Sequence, residues 1–382
     1  MTLKRRLVGI CMAVIGSCGV AWGETLDLAG ANRTLTSLSG YDRVVNSGGS
    51  ATLTLNLSSD ETFAGEMTGA VKLVKDGTGK LTINGSGFHG TSGFDIVKGI
   101  VVLGPNAGDR ALGAEGASVT ISDGGALDLN LPSTTSNERT RITHDVILNI
   151  AGSGFNGSGA LFSSAKVDNW QHKSLGRIRL TADATIGVNG RMDIRGSNEK
   201  GYAELIGAGH TLTVTSANYG NLTICGATTK LKKIIVVNKG FASFEGTGGG
   251  LTLAENIELK DSAHLQFYGG IHASVLATPI AVTGSDTQII AGNANQDHHQ
   301  NITIAKGAKL TFLRVYSDHT HSYYGTITNN GTVDSHDDKV YYRARSSTMG
   351  RGTSIGIRAA SKGARSSTTV RCTRRTIRRR RI

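Results

Sequence analysis

Five of the 11 histidines lie close together late in the chain, beside several aspartates, and imidazoles with carboxylates are a common metal-binding combination. The histidines are His298, His299, His319, His321 and His336, and the acids are Asp297, Asp318, Asp334, Asp337 and Asp338. In a strand, His319 and His321 would point to one face. The segment has no known ligand motif and no cysteine. We therefore interpret these histidines as parts of solvated loops or strand faces, and keep a metal site at His319 and His321 as the alternative.

Acid–base catalysis on a polysaccharide needs two carboxylates close together, or a calcium cluster beside a catalytic base. Glu255, Glu258 and Asp261 have suitable side chains, but they are scattered over turns and outward positions. We therefore predict no catalytic residues and no cofactor. A polysaccharide-degrading lyase or hydrolase remains the alternative function.

Residues 1–23 read as a secretory signal peptide. Lys4, Arg5 and Arg6 precede an apolar run over 7–20, and the small residues Ala21 and Gly23 stand just before Glu24. Alternatively, the leader is of the lipoprotein type, in which Cys18 is lipidated and anchors the chain. The apolar run is too short for a transmembrane helix, and no later segment is apolar enough for one. We expect an exported protein: secreted, periplasmic or on the cell surface.

Residues 339–382 differ in character from the rest of the chain. They contain 14 of the 41 basic residues and no Asp or Glu, which leaves 27 basic (41 less 14) against 29 acidic residues elsewhere. The net charge of +12 therefore belongs to this segment, which we predict to be a disordered Arg-rich tail. No aromatic residues interleave with its arginines, so we expect no nucleic-acid partner. An acidic lipid or glycan contact is one interpretation, and a frameshifted gene end is the one we favour.

Short alternations of apolar and polar residues fill the chain between these two ends. Leu53, Leu55 and Leu57 alternate with Thr and Asn, a pattern that predicts a strand with one buried face. The continuous apolar run over 234–237 predicts a strand buried on both faces. Removal of the leader would leave Cys225 and Cys372, so the fold does not rest on disulfides.

One stretch carries a family resemblance. Residues 62–69 read TFAGEMTG, residues 73–87 read LVKDGTGKLTINGSG, and residues 88–104 read FHGTSGFDIVKGIVVLG. Together with the segment to 131, they resemble one copy of the autotransporter-associated β-strand repeat of bacterial secreted and surface proteins. The resemblance implies a passenger-type β-solenoid, and the family has no catalytic residues to carry over.

We therefore predict an all-β chain: a right-handed parallel β-helix over 24–338, followed by the disordered basic tail. Coils of roughly 20–25 residues would give about 13–15 coils. The expected function is a non-enzymatic scaffold or adhesin-like interaction surface. Its expected partners are glycans or other cell-surface components.

Overall fold

The computed structural model describes residues 23–85, 87–88, 92–108, 110–130, 146–165, 175–195, 203–246, 250–314, 319–335 and 340–342. Strands make up 57% of the structure and helices 3%. The leader up to residue 22, with Cys18, lies outside the described residues. So do His336 and nearly all of the segment predicted to be a disordered tail.

The strands are short, and most are three to five residues long. The first eleven are β1 (Glu24–Asp27), β2 (Arg33–Leu35), β3 (Tyr41–Asn56), β4 (Glu61–Phe63), β5 (Glu66–Asp76), β6 (Leu81–Ile83), β7 (Gly87–Phe88), β8 (Gly93–Ile96), β9 (Gly99–Leu103), β10 (Ser118–Ile121) and β11 (Gly125–Asp128). The next eleven are β12 (Ile147–Gly152), β13 (Leu161–Ser163), β14 (Arg177–Val188), β15 (Arg191–Ile194), β16 (Glu204–Ile206), β17 (Thr211–Thr215), β18 (Asn221–Ile224), β19 (Ala227–Leu231), β20 (Lys233–Val237), β21 (Phe241–Glu245) and β22 (Leu251–Leu253). The remaining strands are β23 (Ile257–Leu259), β24 (His264–Tyr268), β25 (Ile280–Val282), β26 (Thr287–Ala291), β27 (Gln296–His298), β28 (Ile302–Ile304), β29 (Lys309–Arg314), β30 (His321–Tyr323), β31 (Ile327–Asn329), β32 (Thr332–Ser335) and β33 (Val340–Tyr342). A 3₁₀ turn (Phe155–Gly157) and a single-turn helix α1 (Ala273–Leu276) complete the described elements.

The strands stack in parallel as a β-solenoid of about 11 turns, which confirms the predicted fold class. They form a large sheet of 23 strands, a second sheet of seven (β15, β18, β21, β24, β26, β29 and β32) and a third sheet of three (β27, β30 and β33). The predicted number of coils was too high. Asp60 and Lys80 occupy neighbouring coils 20 residues apart, but Ser118 and Asn149, also in neighbouring coils, are 31 residues apart. Longer turns in the middle of the chain reduce the number of coils it can form.

Alternating side chains fill the interior of the solenoid. Leu53, Leu55 and Leu57 are all buried, as their spacing predicts, and Leu53 and Leu55 stand in register with residues of the coils before and after them. The prediction for 234–237 was wrong in part. Ile234 and Val236 are buried, but Ile235 and Val237 are only half-buried because the outer face of β20 is open to solvent.

Asn and Asp side chains at the turns join successive coils. In each case a side-chain oxygen accepts a hydrogen bond from a backbone N–H one coil further on. Asn84 accepts from Asn106 at 3.0 Å, Asp183 from Thr211 at 2.8 Å and Asn301 from Thr326 at 3.0 Å. These inter-coil clamps satisfy backbone donors on the next coil.

Lys75 is a charged residue inside the aliphatic stack, in register between Leu55 and Ile96. Its side chain is fully buried, and Nζ donates to the carbonyls of Asp76, Gly77 and Lys98 at 2.9–3.0 Å. Burial lowers the pKa of Lys75 to about 8, although Asp76 and Asp60 oppose the shift. The amine ties the turn after β5 to the turn after β8, one coil further on. Gly99 must be glycine there, because a Cβ would lie 2.5 Å from the Gly77 carbonyl oxygen and 2.9 Å from Lys75 Nζ.

Coil stacking continues past residue 338, the predicted end of the solenoid. β33 begins at Val340 and pairs in parallel with β30. These three residues of the predicted tail therefore belong to the solenoid. The rest of that segment, including its arginine cluster and Cys372, lies outside the described residues.

Candidate functional site

The structure places two of the clustered histidines inside the solenoid. His298 and His321 are both fully buried, and His298 Nε2 lies 3.4 Å from His321 Nδ1. The interpretation of these two histidines as solvated side chains was wrong. β27 and β30 pair in register, so Gln296 lies beside His321 and His298 beside Tyr323, all in the space between the sheets.

His298 lies between aromatic rings. It stacks on Tyr323 with ring centroids 4.3 Å apart and meets the edge of Phe267 at 5.4 Å. Burial and the neighbouring His321 lower the pKa of His298 to about 3, with Gln300 opposing the shift. The imidazole is therefore neutral at physiological pH and serves as a packing group.

The alternative pair for a metal, His319 and His321, does not share a strand. β30 begins at His321, and His319 precedes it as a half-buried residue while His321 is buried. No group of three or more His, Cys, Asp or Glu side chains suited to a metal occurs among the described residues. Asp334 instead pairs with Lys309 at 3.0 Å. Asp318, His336, Asp337 and Asp338 lie outside the described residues.

Two of the acidic residues considered for catalysis, Glu255 and Glu258, are held in ion pairs. Glu258 binds Lys233 at 2.7 Å and Lys260 at 3.2 Å. Desolvation opposes the charged form of Glu258, but hydrogen bonds from Lys233, Lys260 and Thr283 outweigh it and lower the pKa. Glu255 pairs more loosely with Lys232 and Lys233, at 3.9 and 3.8 Å. A general acid requires a raised carboxyl pKa, so Glu258 is suited to an ion pair rather than to proton donation.

A four-charge network on the second sheet was not predicted from the sequence. Asp193, whose side chain is 0% exposed, accepts from Arg191 at 2.8 Å and from Arg195 at 3.0 Å. Glu245, two coils further on, accepts from the same arginines at 2.7 and 2.8 Å. Desolvation disfavours both guanidiniums, yet the two carboxylates raise the pKa of each. The network is internally neutralised and links two coils, those of β15 and β21, across the coil of β18 that lies between them.

Cys225 lies beside this network, at the rim of a small recess. Burial raises the pKa of its thiol to about 12, despite the nearby Arg195. A protonated thiol is a poor nucleophile and a poor metal ligand. The recess encloses about 230 Å³, including open solvent, and is lined by apolar residues such as Ile224, Phe244 and Leu251. We assign a packing role to Cys225.

Exposed aromatic rings mark two turns of the solenoid. Tyr219 precedes β18, is 38% exposed and stacks on His264, with ring centroids 4.5 Å apart. Tyr324 follows β30, is 39% exposed and stacks on His299 at 5.2 Å. A large exposed ring with polar groups beside it is suited to contact with a partner, and Tyr219 has such groups. The turn around Tyr219, where the chain passes from the large sheet to the second sheet, is called the Tyr219 corner below.

The Tyr219 corner combines aromatic and polar groups. Phe241 meets His264 edge-on at 5.6 Å, and Lys239 Nζ lies 5.7 Å from the centre of the Tyr219 ring. Desolvation lowers the pKa of His264, with Asp286 opposing, so the ring behind Tyr219 is neutral. Sequence reasoning missed this group because Tyr219, Phe241 and His264 come from three different coils and meet only through the register of β18, β21 and β24.

Comparison with protein-family models, with curated proteins and with solved structures finds no match to this chain. Among the described residues, no helix is both long and apolar enough to cross a bilayer. The functional reading therefore rests on the solenoid and its surface groups.

Proposed function

We propose that this chain is an exported, non-enzymatic β-solenoid that serves as a scaffold and presents an adhesin-like interaction surface. The supporting observation is the in-register stacking of the coils, which arranges outward side chains in rows. Outward threonines pair in this way at Thr62 with Thr82, at Thr185 with Thr213, and at Thr303 with Thr328. The spacing between adjacent coils is about 4.8 Å, so at each of these places one partner molecule can meet two like hydroxyls, and such pairs recur along the solenoid.

Repetition on a rigid frame favours partners that are themselves repetitive. Each contact with a hydroxyl or amide is weak, but linked contacts raise the overall affinity without any single strong site. Polysaccharides are polymers with repeated hydroxyl groups, so glycans of a cell surface are the partners we propose. Export through the leader at 1–23, with or without lipidation at Cys18, would bring the solenoid to such partners.

Retention of the purified full-length chain on immobilised neutral and acidic polysaccharides tests this proposal. We expect binding that strengthens with the length of the polysaccharide, because longer chains engage more of each row. We expect no new reducing ends and no unsaturated products after prolonged incubation.

Two results would count against the proposal. Failure to bind any polysaccharide or any intact cell surface would remove the adhesin-like role. Cleavage that a single carboxylate substitution such as Glu258→Gln abolishes would replace the scaffold with a polysaccharide-degrading enzyme. Glu255→Gln is the matched control, since Glu255 lies on the same surface with looser ion pairs.

A further inference from the structure

The backbone fixes the position of the exposed ring at the Tyr219 corner. Tyr219 has φ of 58°, a left-handed conformation that a bulky residue rarely adopts. The turn is held by Ser216, whose Oγ accepts hydrogen bonds from the N–H groups of Asn218 at 3.0 Å and Gly220 at 2.7 Å. Strained residues of this kind often mark binding positions, because the surrounding structure maintains them for a purpose other than stability.

Neighbouring coils support the ring from behind. His264 stacks against Tyr219 at an interplanar angle of 24°, and Phe241 braces His264 edge-on. These contacts restrict the rotation of the Tyr219 side chain, so a ligand that covers the outer part of the ring costs the side chain little further entropy. A preorganised aromatic ring is worth more for binding than a mobile one, because the entropy cost was met on folding.

Polar groups flank the ring. The exposed Asn218 side chain donates from Nδ2 to Asn189 Oδ1 at 2.7 Å, which places two amides beside the tyrosine. Lys239 forms no ion pair among the described residues, and its ammonium lies 5.7 Å from the ring centre. The corner therefore offers an apolar ring next to both donors and acceptors of hydrogen bonds.

These features match the chemistry of a sugar. A pyranose has an apolar face of C–H groups that stacks on an aromatic ring and a rim of hydroxyls that both donate and accept hydrogen bonds. A protein partner fits less well, because a stable protein interface needs about 800 Å² on each side and one partly exposed ring between polar residues offers far less.

We propose that the Tyr219 corner is a carbohydrate-binding subsite. It stacks one hexose ring of a polysaccharide on Tyr219 and binds the hydroxyls of that ring through Asn218, Asn189 and Lys239. The inference rests on the proposed function, since it names the position on the solenoid that distinguishes a sugar from other polar polymers.

The test compares retention of the full-length chain and its variants on the polysaccharide that the wild type binds best. Tyr219→Gly removes the ring and suits the left-handed backbone, so the turn should fold without it. We expect Tyr219→Gly to weaken apparent binding about tenfold, the effect of losing one aromatic contact from a multivalent interaction. Tyr219→Phe keeps the ring and should stay within about threefold of the wild type.

Tyr324→Ala is the matched control, because Tyr324 is equally exposed and equally stacked on a histidine but lies at a different turn. It should change retention by less than about threefold.

Asn218→Ala is a second probe, which removes a flanking amide and leaves the ring. Unchanged binding of folded Tyr219→Gly, or equal losses for Tyr219→Gly and Tyr324→Ala, would overturn the subsite while leaving the adhesin-like role in place. If the wild-type chain bound no polysaccharide and no intact cell surface, the proposed function itself would be overturned.

Discussion

Both ends of the described solenoid are stacks of parallel strands, but their interiors differ. The N-terminal coils (residues 24–130) are filled by aliphatic stacks such as Leu55, Ile96 and Ile121, with Lys75 as a buried amine between Leu55 and Ile96. The C-terminal coils (residues 257–342) bury Gln296, His298, Gln300 and His321 together with aromatic rings. Parallel in-register stacking requires only that the groups above and below one another pack well, so an interior of imidazole rings and amides serves as well as one of leucines.

The difference has a thermodynamic consequence. The N-terminal interior has no group that titrates in mild acid among the buried residues named here, since Lys75, with a pKa of about 8, stays protonated. A buried neutral histidine, in contrast, resists protonation. We therefore expect the two ends to respond alike to the loss of packing and differently to acid. Because each coil contacts mainly its neighbours, the ends can be followed separately by hydrogen exchange with mass spectrometry.

Removal of a buried ring should have the largest effect at either end. Phe94→Ala and Phe267→Ala each delete a fully buried ring and should lower local stability by about 3–5 kcal/mol. Phe267 also covers His298, 5.4 Å from its ring. Its loss admits water, so the pKa of His298 should rise toward its ordinary value and the C-terminal coils should become less sensitive to acid. Phe94→Ala should give the same loss at pH 5 as at pH 7; a loss that differs between these two pH values would contradict the proposed difference.

Mild acid should open the C-terminal coils first. The folded pKa of His298 is about 3, against an ordinary value of 6.5 that applies to the unfolded chain. Between these values the unfolded state binds more protons, so stability is complete above pH 6.5 and falls as the pH falls toward 3. At pH 5 the loss should be about 2 kcal/mol, measured as faster exchange in β26 to β30 than at pH 7.

His298→Phe tests the origin of this effect. Phenylalanine keeps the stacking on Tyr323 and has no proton to gain, so the loss at pH 5 should nearly disappear. Other titratable groups near His298 are His321, Tyr323 and the exposed His299. His299→Phe is the control and should leave acid sensitivity unchanged. Equal acid sensitivity in His298→Phe and the wild type would assign the effect to another group.

Alternation in the sequence predicted the strands and most of the buried leucines, but it could not predict which polar residues point inward. Residues 296–300 read QDHHQ, which has no hydrophobic signal, yet Gln296, His298 and Gln300 follow the period of two that places Ile302 and Ile304 inside. The same period links Val71, Leu73 and Lys75, so the burial of Lys75 could have been inferred. The charge network and the Tyr219 corner depend on the register between coils. With turns of unequal length, no single repeat period gives that register.

Lys75 should contribute less than a buried ring and only to the N-terminal coils. Lys75→Met keeps most of the apolar volume but leaves three backbone carbonyls without the amine. We expect a loss of about 1–3 kcal/mol at pH 7, seen as faster exchange in β5 and β9. Lys72→Met is the control, because Lys72 forms an exposed pair with Asp95 that should be worth less than about 1 kcal/mol. Equal losses of stability for Lys75→Met and Lys72→Met would mean that water replaces the amine as the hydrogen-bond donor to these carbonyls.

The smallest effects should come from the inter-coil clamps, and there the two ends should agree. Asn84→Ala in the N-terminal coils and Asn301→Ala in the C-terminal coils each remove one acceptor of a backbone N–H, at 3.0 Å in both cases. Each should cost about 1 kcal/mol, confined to the adjoining coils and independent of pH. Asn84→Asp and Asn301→Asp keep the acceptor and should cost less. Suppose that the clamps behave alike while the interiors respond differently to acid. The turns then contribute equally to stability at both ends, and the difference in acid sensitivity comes from the buried side chains alone. A larger, acid-sensitive loss for Asn301→Ala would instead show that the turn and the histidine interior are coupled.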